Sequence, residues 1–289
     1  MNEKDWLLLV TLNEEHNITK TAERLFISQP ALSYRINKLE EEFKSKLFIR
    51  NRKGLYFTPQ GDFLVKFAKR MMSELQGTKE TIQSMDKEVK GTLKLGVSST
   101  IGRYMLPKML RDFLNCYPDV EVNVITGFSS EIEPSLESSD VHIAITRGKH
   151  HWIERKMLLK TEPLLIASNY KINIDELPVL NRIYYKTDSS LKDLIDNWWT
   201  ETFNARSNIT MAVDNLETCK EMVKIGLGYA ILPGICLQNE KKLFVEPLLY
   251  SNGKQVERKT WIYSRDSAMQ FAPVKAFFDF FKNYHSTVY

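Results

Sequence analysis

ITKTAERLFISQPALSYRINKL, residues 18–39, reads as two short helices joined by a tight turn. Thr21, Ala22 and Leu25 fall at i, i+1 and i+4, a narrow face small enough for a second helix to cross closely. Phe26 and Ile27 interrupt that pattern and form the turn. Ser28 is suited to cap the next helix, because its hydroxyl can accept a free backbone N–H. Pro30 falls in the first turn, where a missing N–H costs nothing. Leu32, Ile36 and Leu39 then repeat at four and three and give the buried stripe. Gln29, Ser33, Tyr34, Asn37 and Lys38 occupy the other side, which is polar but not acidic and fits a helix laid in a DNA major groove. An ordinary helix pair with a solvated face has the same spacing, and charge separates the two readings. Residues 16–70 carry twelve Lys/Arg against five acids, a net +7 in a chain whose total is +4. A cationic module on a net acidic remainder is the footprint of phosphate-backbone binding.

Working outward, residues 5–15 form an amphipathic helix with Trp6, Leu9, Val10 and Asn13 on one side, placed to brace the pair. FIRNRKGLYF, residues 48–57, reads as a hairpin turning at Lys53-Gly54, with Arg50, Arg52 and Lys53 clustered on it. A cationic hairpin beside a recognition helix is a wing that reaches phosphates or the minor groove. Thr58 and Pro59 then open a long helix as N-cap and first helical residue. Leu64, Ala68, Met71, Leu75, Thr78, Ile82, Met85 and Val89 follow at alternating spacings of four and three. Such a heptad seam on a lone helix implies a partner helix. Gly91 ends it, and the chain divides into 1–58, 59–90 and 91–289.

The runs A-E-R-L-F-I-S-Q-P-A-L-S-Y-R-I-N-K-L-E, L-F-I-R-N and T-P-Q-G resemble the N-terminal domain of LysR-type transcriptional regulators. Thr21 stands where that family usually has Ala, and Lys44 where it usually has Gly. The resemblance implies a winged helix-turn-helix that binds double-stranded promoter DNA through Ser28, Gln29, Pro30, Ser33, Tyr34, Arg35 and Lys38 of the head, and Arg50, Arg52 and Lys53 of the wing. It also implies a homodimer paired through the long helix, and a homotetramer through the domains that follow.

Beyond residue 91 strands and helices alternate: strands over 92–97, 120–126, 141–146, 164–167, 229–232 and 258–264, and helices over 101–117, 131–138, 190–203, 216–225 and 272–284. Alternation means a mostly parallel α/β sheet, in a chain that is α+β overall. The family resemblance adds a two-lobed, periplasmic-binding-protein-like effector domain. Lobe I covers about 91–160 and 265–289, lobe II about 161–264, with a hinge near Lys160 and Ser264. Ligands in such sheets sit at strand carboxyl ends, against helix N-termini. Four places offer that geometry: Ser98, Ser99 and Thr100; Ser129 and Ser130; Arg147; and Thr187 with Ser189. Arg147 is expected to grip a carboxylate bidentately, and Arg258 to reach across from the second lobe. Most of the Ser and Thr residues would also serve simply as helix caps. The motifs G-T-L-K-L-G-V-S-S-T-I-G-R-Y-M-L-P-K, I-T-G-F-S-S-E and D-N-L-E-T-C-K-E-M-V-K-I-G-L-G-Y-A-I-L-P resemble the citrate-responsive catabolite control regulators of Gram-positive bacteria. That narrower resemblance implies citrate as effector and citric acid cycle genes as targets.

Composition excludes other classes. A chain of 289 residues with 43% hydrophobic content supports two or three cored units. No apolar run spans a bilayer, and Met-Asn-Glu-Lys-Asp does not read as a signal peptide, so a cytoplasmic protein without a membrane partner is expected. Cys116, Cys219 and Cys236 lack metal-ligand spacing and read as reduced, buried thiols. Adjacent His150 and His151 would point opposite ways and chelate poorly. No nucleophile elbow, Walker loop or dinucleotide fingerprint is present, and no cofactor is implied. A solute-binding module would lack the N-terminal head. An enzyme would need an acid–base pair, for which Asp188 with Glu217 is the one suggestive combination.

Overall fold

The computed structural model describes residues 1–51, 54–83, 89–148, 152–238 and 240–288. The head comprises α1 (Glu3–Glu15), α2 (Ile18–Arg24), α3 (Gln29–Glu42) and a hairpin of β1 (Phe48–Asn51) and β2 (Gly54–Phe57). Asn2 and Asp5 start α1 with a reciprocal capping box, and Ser28 caps α3 by accepting the Ala31 N–H at 3.3 Å. Leu32, Ile36 and Leu39 are buried against Leu8, Leu9, Leu12 and Ala22, which fixes α3 across α1 and α2. Lys44 follows the end of α3 in the left-handed region, φ 49°. Its N–H and that of Ser45 bond back to the carbonyls of Glu41 and Glu40, the double bond of a Schellman turn. The family's usual glycine therefore has a steric reason here, and Lys44 occupies a backbone conformation that suits it poorly.

Helix α4 (Pro59–Gln83) opens as expected, with the Thr58 hydroxyl accepting the Gly61 N–H at 3.1 Å and donating to the Lys46 carbonyl at 2.7 Å. Its own chain covers only part of the seam. Leu64 and Ala68 are buried in the core of the head, Met71 and Leu75 are half-buried, and Thr78 and Ile82 are exposed. Met85 lies outside the described residues, and Val89 packs on the core of the next domain. The helix docks on that domain at two places. Lys69 pairs with Asp140 at 3.0 Å. Gly77 lies so close to Phe271 that a Cβ would come within 2.0 Å of the ring. His142 stacks on that same ring, centroids 4.6 Å apart.

The remaining elements are β3 (Gly91–Ser98), α5 (Ser99–Tyr104), α6 (Leu106–Cys116), β4 (Val120–Gly127), α7 (Ser129–Glu137), β5 (Ile143–Arg147), β6 (Arg155–Ser168), β7 (Arg182–Tyr185), α8 (Ser189–Thr202), β8 (Ile209–Val213), α9 (Leu216–Lys224), β9 (Ala230–Pro233), β10 (Phe244–Pro247), β11 (Glu257–Ser264) and α10 (Ala272–Val288). The helix expected over 101–117 is broken at Met105 (φ −123°, ψ −45°), because Pro107 has no N–H to continue the ladder. The sheet is mixed rather than mostly parallel. β3 pairs in parallel with β4 and β5, whereas β6, β9, β10 and β11 pair antiparallel.

The strand expected over 164–167 is the end of a fourteen-residue strand. β6 pairs with β11 from Arg155 to Pro163, then with β9 and β10 from Leu164 onward. It thus belongs to both lobes and changes partners at Pro163, where a missing N–H is tolerated. β11 pairs with β5 and β6 along its length, so the return crossing lies near Val256 and Glu257 rather than at Ser264. One core gathers Leu93, Leu95, Ile143 and Phe113 beneath Phe277 and Phe281 of α10; the other surrounds Trp198, Tyr229 and Leu232. Cys219 and Cys236 are buried, and burial pushes both thiols up to about 12. Cys116 is exposed, contrary to expectation, because it ends α6 on the side away from the core.

Candidate DNA-reading face and effector cleft

On α3 the capping of Ser28 and the burial of the Leu32 stripe turn Gln29, Pro30, Tyr34, Asn37 and Lys38 outward, with Ser33 half-buried beside them. Tyr34 is 66% exposed. Arg35 departs from this group. Its guanidinium donates to Asp5 Oδ1 at 2.8 Å, and Asp5 also closes the cap of α1, so Arg35 ties α3 to α1 instead of facing outward. Arg50 lies on β1 opposite Leu55, while Arg52 and Lys53 fall outside the described residues. Phe26, missed as a surface feature, is 96% exposed at the turn. Its φ of 54° carries the side chain out of the core.

Between the lobes lies a cavity of about 160 Å³. Ser98, Ser99, Thr100, Ser129, Arg147, Thr187 and Arg258 all line it; Ser130 and Ser189 do not, and both are exposed. The strand ends at Ser98 and Arg147 place the first-lobe residues, and the cap of α8 at Asp188 places the second. The Ser129 hydroxyl accepts the Arg147 N–H at 3.1 Å, and the Ser99 hydroxyl donates to the Gly127 carbonyl at 3.2 Å.

Neither arginine is a free clamp. Arg147 is ion-paired with Glu162, both side chains 2% exposed, and Glu162 accepts the Ile235 N–H at 2.6 Å through its other oxygen. Arg258, 1% exposed, pairs with Asp188 at 2.5 Å. Burial foremost, then the neighbouring Arg147 charge, brings the Arg258 guanidinium down to about 10. Burial alone would raise the Asp188 carboxyl, but Arg258 and bonds from Ser190 and the Leu191 N–H outweigh it and hold the carboxyl below its usual range. The Ser98 hydroxyl, Arg147 Nε and Arg258 Nε are buried with no acceptor among the described residues.

Sequence reasoning missed a second bridge between the lobes. The Tyr104 hydroxyl of α5 donates to Glu217 of α9 at 2.5 Å, and the Lys220 ammonium, almost wholly buried, donates to the Tyr104 oxygen at 2.6 Å. Glu217 and Asp188 are each engaged by a cation of their own, Lys220 and Arg258. The two do not form an acid–base pair.

A head that presents a polar recognition helix and a two-lobed domain with a lined cleft can be set beside known proteins. Residues 4–62 match the family of bacterial regulatory helix-turn-helix proteins of the lysR type, and residues 86–286 match the LysR substrate binding domain. The chain is a LysR-type transcriptional regulator. It is 47% identical over 282 residues to the uncharacterized HTH-type transcriptional regulator YraN of Bacillus subtilis, covering 98% of each chain. It is 40% identical to the uncharacterized regulator YkuM of the same organism, covering 96% of this chain and 95% of that one. The fold resembles full-length OxyR from Pseudomonas aeruginosa, with TM-score 0.72 at 22% identity, covering 98% of this chain and 95% of that one. As a LysR-type regulator it is a DNA-binding protein with a ligand-binding effector domain, not an enzyme. No helix among the described residues is long and apolar enough to cross a membrane.

Proposed function

We propose that this regulator senses a small carboxylate in the cytoplasm, with citrate as the candidate, and controls citric acid cycle genes from their promoters. The observation that supports an anion is the set of buried donors without acceptors, Ser98 Oγ, Arg147 Nε and Arg258 Nε, around one cavity. Unmet buried donors are costly, and carboxylate oxygens meet several at once. The ion pairs set how the ligand is held: Glu162 and Asp188 fix the two guanidiniums, and the anion takes the donors these pairs leave over.

Cavity size favours a second reading, a compact dicarboxylate. A cavity of roughly 150 Å³ accommodates benzene, and about 160 Å³ is available here. Citrate, with three carboxylates, enters only when the angle between the lobes widens. A thermal-shift panel of di- and tricarboxylates on the full chain tests both. Stabilisation by citrate, weakened by Ser98→Ala, supports the first reading. Stabilisation by a dicarboxylate alone removes citrate, and no shift from any member removes the carboxylate reading.

For DNA, Gln29 and Ser33 read base edges while Lys38, Arg50, Arg52 and Lys53 contact phosphates. For assembly, a second copy covers an apolar groove of about 720 Å³ that includes Phe43, Phe63 and Phe67, beside the start of α4. Phe63 is 74% and Phe43 41% exposed on this one contiguous apolar surface, the kind that marks an interaction site. Homodimers form through this helix, and homotetramers through the effector domains.

A further inference from the structure

A second cleft lies where α4 meets the first lobe, enclosing about 710 Å³. It is flanked by the two docking contacts of the helix, Lys69 with Asp140 and Gly77 over Phe271, so both walls are fixed within one chain. Arg265 forms its base. That side chain is 6% exposed, and its Nε has no acceptor among the described residues. Burial lowers its guanidinium pKa, with Glu154 and Glu74 acting in the other direction. An arginine this deeply buried normally has a carboxylate against it. Here none lies within ion-pair distance among the described residues.

The walls carry both signs of charge. Arg70 extends from α4, and Glu74, Glu137 and Glu154 surround the opening. No two of these five charged side chains pair with each other. Between them lies apolar surface, Met71 half-buried and Ile153 96% exposed. A dianion would face three carboxylates, and a simple cation would face Arg265. A ligand bearing one carboxylate, one ammonium and an apolar body meets all three surfaces.

We propose that this groove is a binding site for an apolar α-amino acid. Its carboxylate lies on Arg265 and Arg70, its ammonium toward Glu74 and Glu154, and its side chain on Met71 and Ile153. Occupancy adds contacts between α4 and the effector domain, and so links a second small molecule to the helix that carries the DNA-binding head. The site is separate from the interlobe cleft and does not depend on the ligand proposed there.

The test is isothermal titration of the full chain with L-leucine, L-methionine and L-phenylalanine. Each is compared with its des-amino acid and its decarboxylated amine. At least one amino acid is expected to bind tenfold or more tightly than both of its truncated analogues. Arg265→Met and Glu74→Gln each reduce that affinity at least tenfold, while Ser98→Ala in the interlobe cleft leaves it unchanged. Arg70→Met, on the exposed wall, gives the same loss and decides the matter if Arg265→Met does not fold. No binding by any of the three amino acids, equal binding of a des-amino acid, or full affinity in Arg70→Met overturns the proposal.

Discussion

Replacing Arg147 by alanine tests whether the residue is part of the frame or a ligand clamp. Arg147 and Glu162 are each 2% exposed, and Glu162 keeps only the Ile235 N–H once the guanidinium is gone. Removing one partner of such a pair leaves a buried charge and costs about 3–5 kcal/mol. For a domain of roughly 200 residues each kcal/mol lowers Tm by about 2–4 °C, so the effector-domain transition should fall by about 6–20 °C. The double variant Arg147→Met with Glu162→Met removes both charges, and should recover most of the loss. It does not recover all, since the Ile235 N–H then lacks an acceptor at about 1–3 kcal/mol. Urea denaturation followed by tryptophan fluorescence isolates the right transition, because Trp152, Trp198, Trp199 and Trp261 are in the effector half and only Trp6 is in the head. If Arg147→Ala loses less than about 1 kcal/mol while carboxylate affinity falls tenfold, the frame reading is wrong and Arg147 is a clamp.

Gln29→Ala should weaken binding to the specific operator by about 1–3 kcal/mol and to random DNA little, whereas Arg52→Ala should weaken both and reduce the salt slope by about one unit; footprinting across salt concentrations separates the two. Lys44→Gly should stabilise the head by about 1 kcal/mol by relieving the left-handed backbone at φ 49°, read from its thermal unfolding. Phe63→Lys should yield monomers by light scattering, and a variant that stays dimeric would move the main interface elsewhere. His142 gives a pH dependence: burial, with Lys94 and Arg265 nearby, brings its imidazole down to about 3, and its neutral Nδ1 accepts the Lys94 N–H at 3.2 Å. The unfolded residue titrates near 6.5, so the stability it contributes above about 6.5 is lost as pH falls toward about 3. His142→Asn should flatten that part of an acid-unfolding curve.

Features governed by neighbours in the chain were legible. Ser28, Pro30 and the Leu32 stripe specify a helix start within a few residues, and Thr58 with Pro59 does the same for α4. The cavity lining was also mostly readable, because Ser98, Ser129 and Arg147 end or follow recognisable strands. The arginine partners were not. Glu162 is 15 residues from Arg147, and Asp188 is 70 from Arg258. Each meets its partner only after β6 and β11 cross. The Lys160–Pro163 stretch concealed β6 for a related reason, since a charged segment with a proline reads as a loop unless two sheets exchange there. The seam of α4 was legible only as a face to be covered: its own chain covers Leu64 and Ala68, Thr78 and Ile82 stay exposed, and a heptad does not say which part a second copy would take.

A single strand running through both lobes restricts how they move. Two bodies joined by loops can slide, separate or roll, but β6 holds its own length and its hydrogen-bond register on either side of Pro163. With β11 crossing beside it, the joint behaves as a short torsion bar: the lobes change their mutual angle by twisting two adjacent peptide segments, at nearly constant separation. What an effector imposes is therefore a rotation. Through α4, about 37 Å long at 1.5 Å per residue, a rotation of lobe I becomes a displacement at the far end that grows with distance from the pivot. A few degrees at the crossing become ångströms at α3, so the helix acts as a lever on the position of the DNA-reading head.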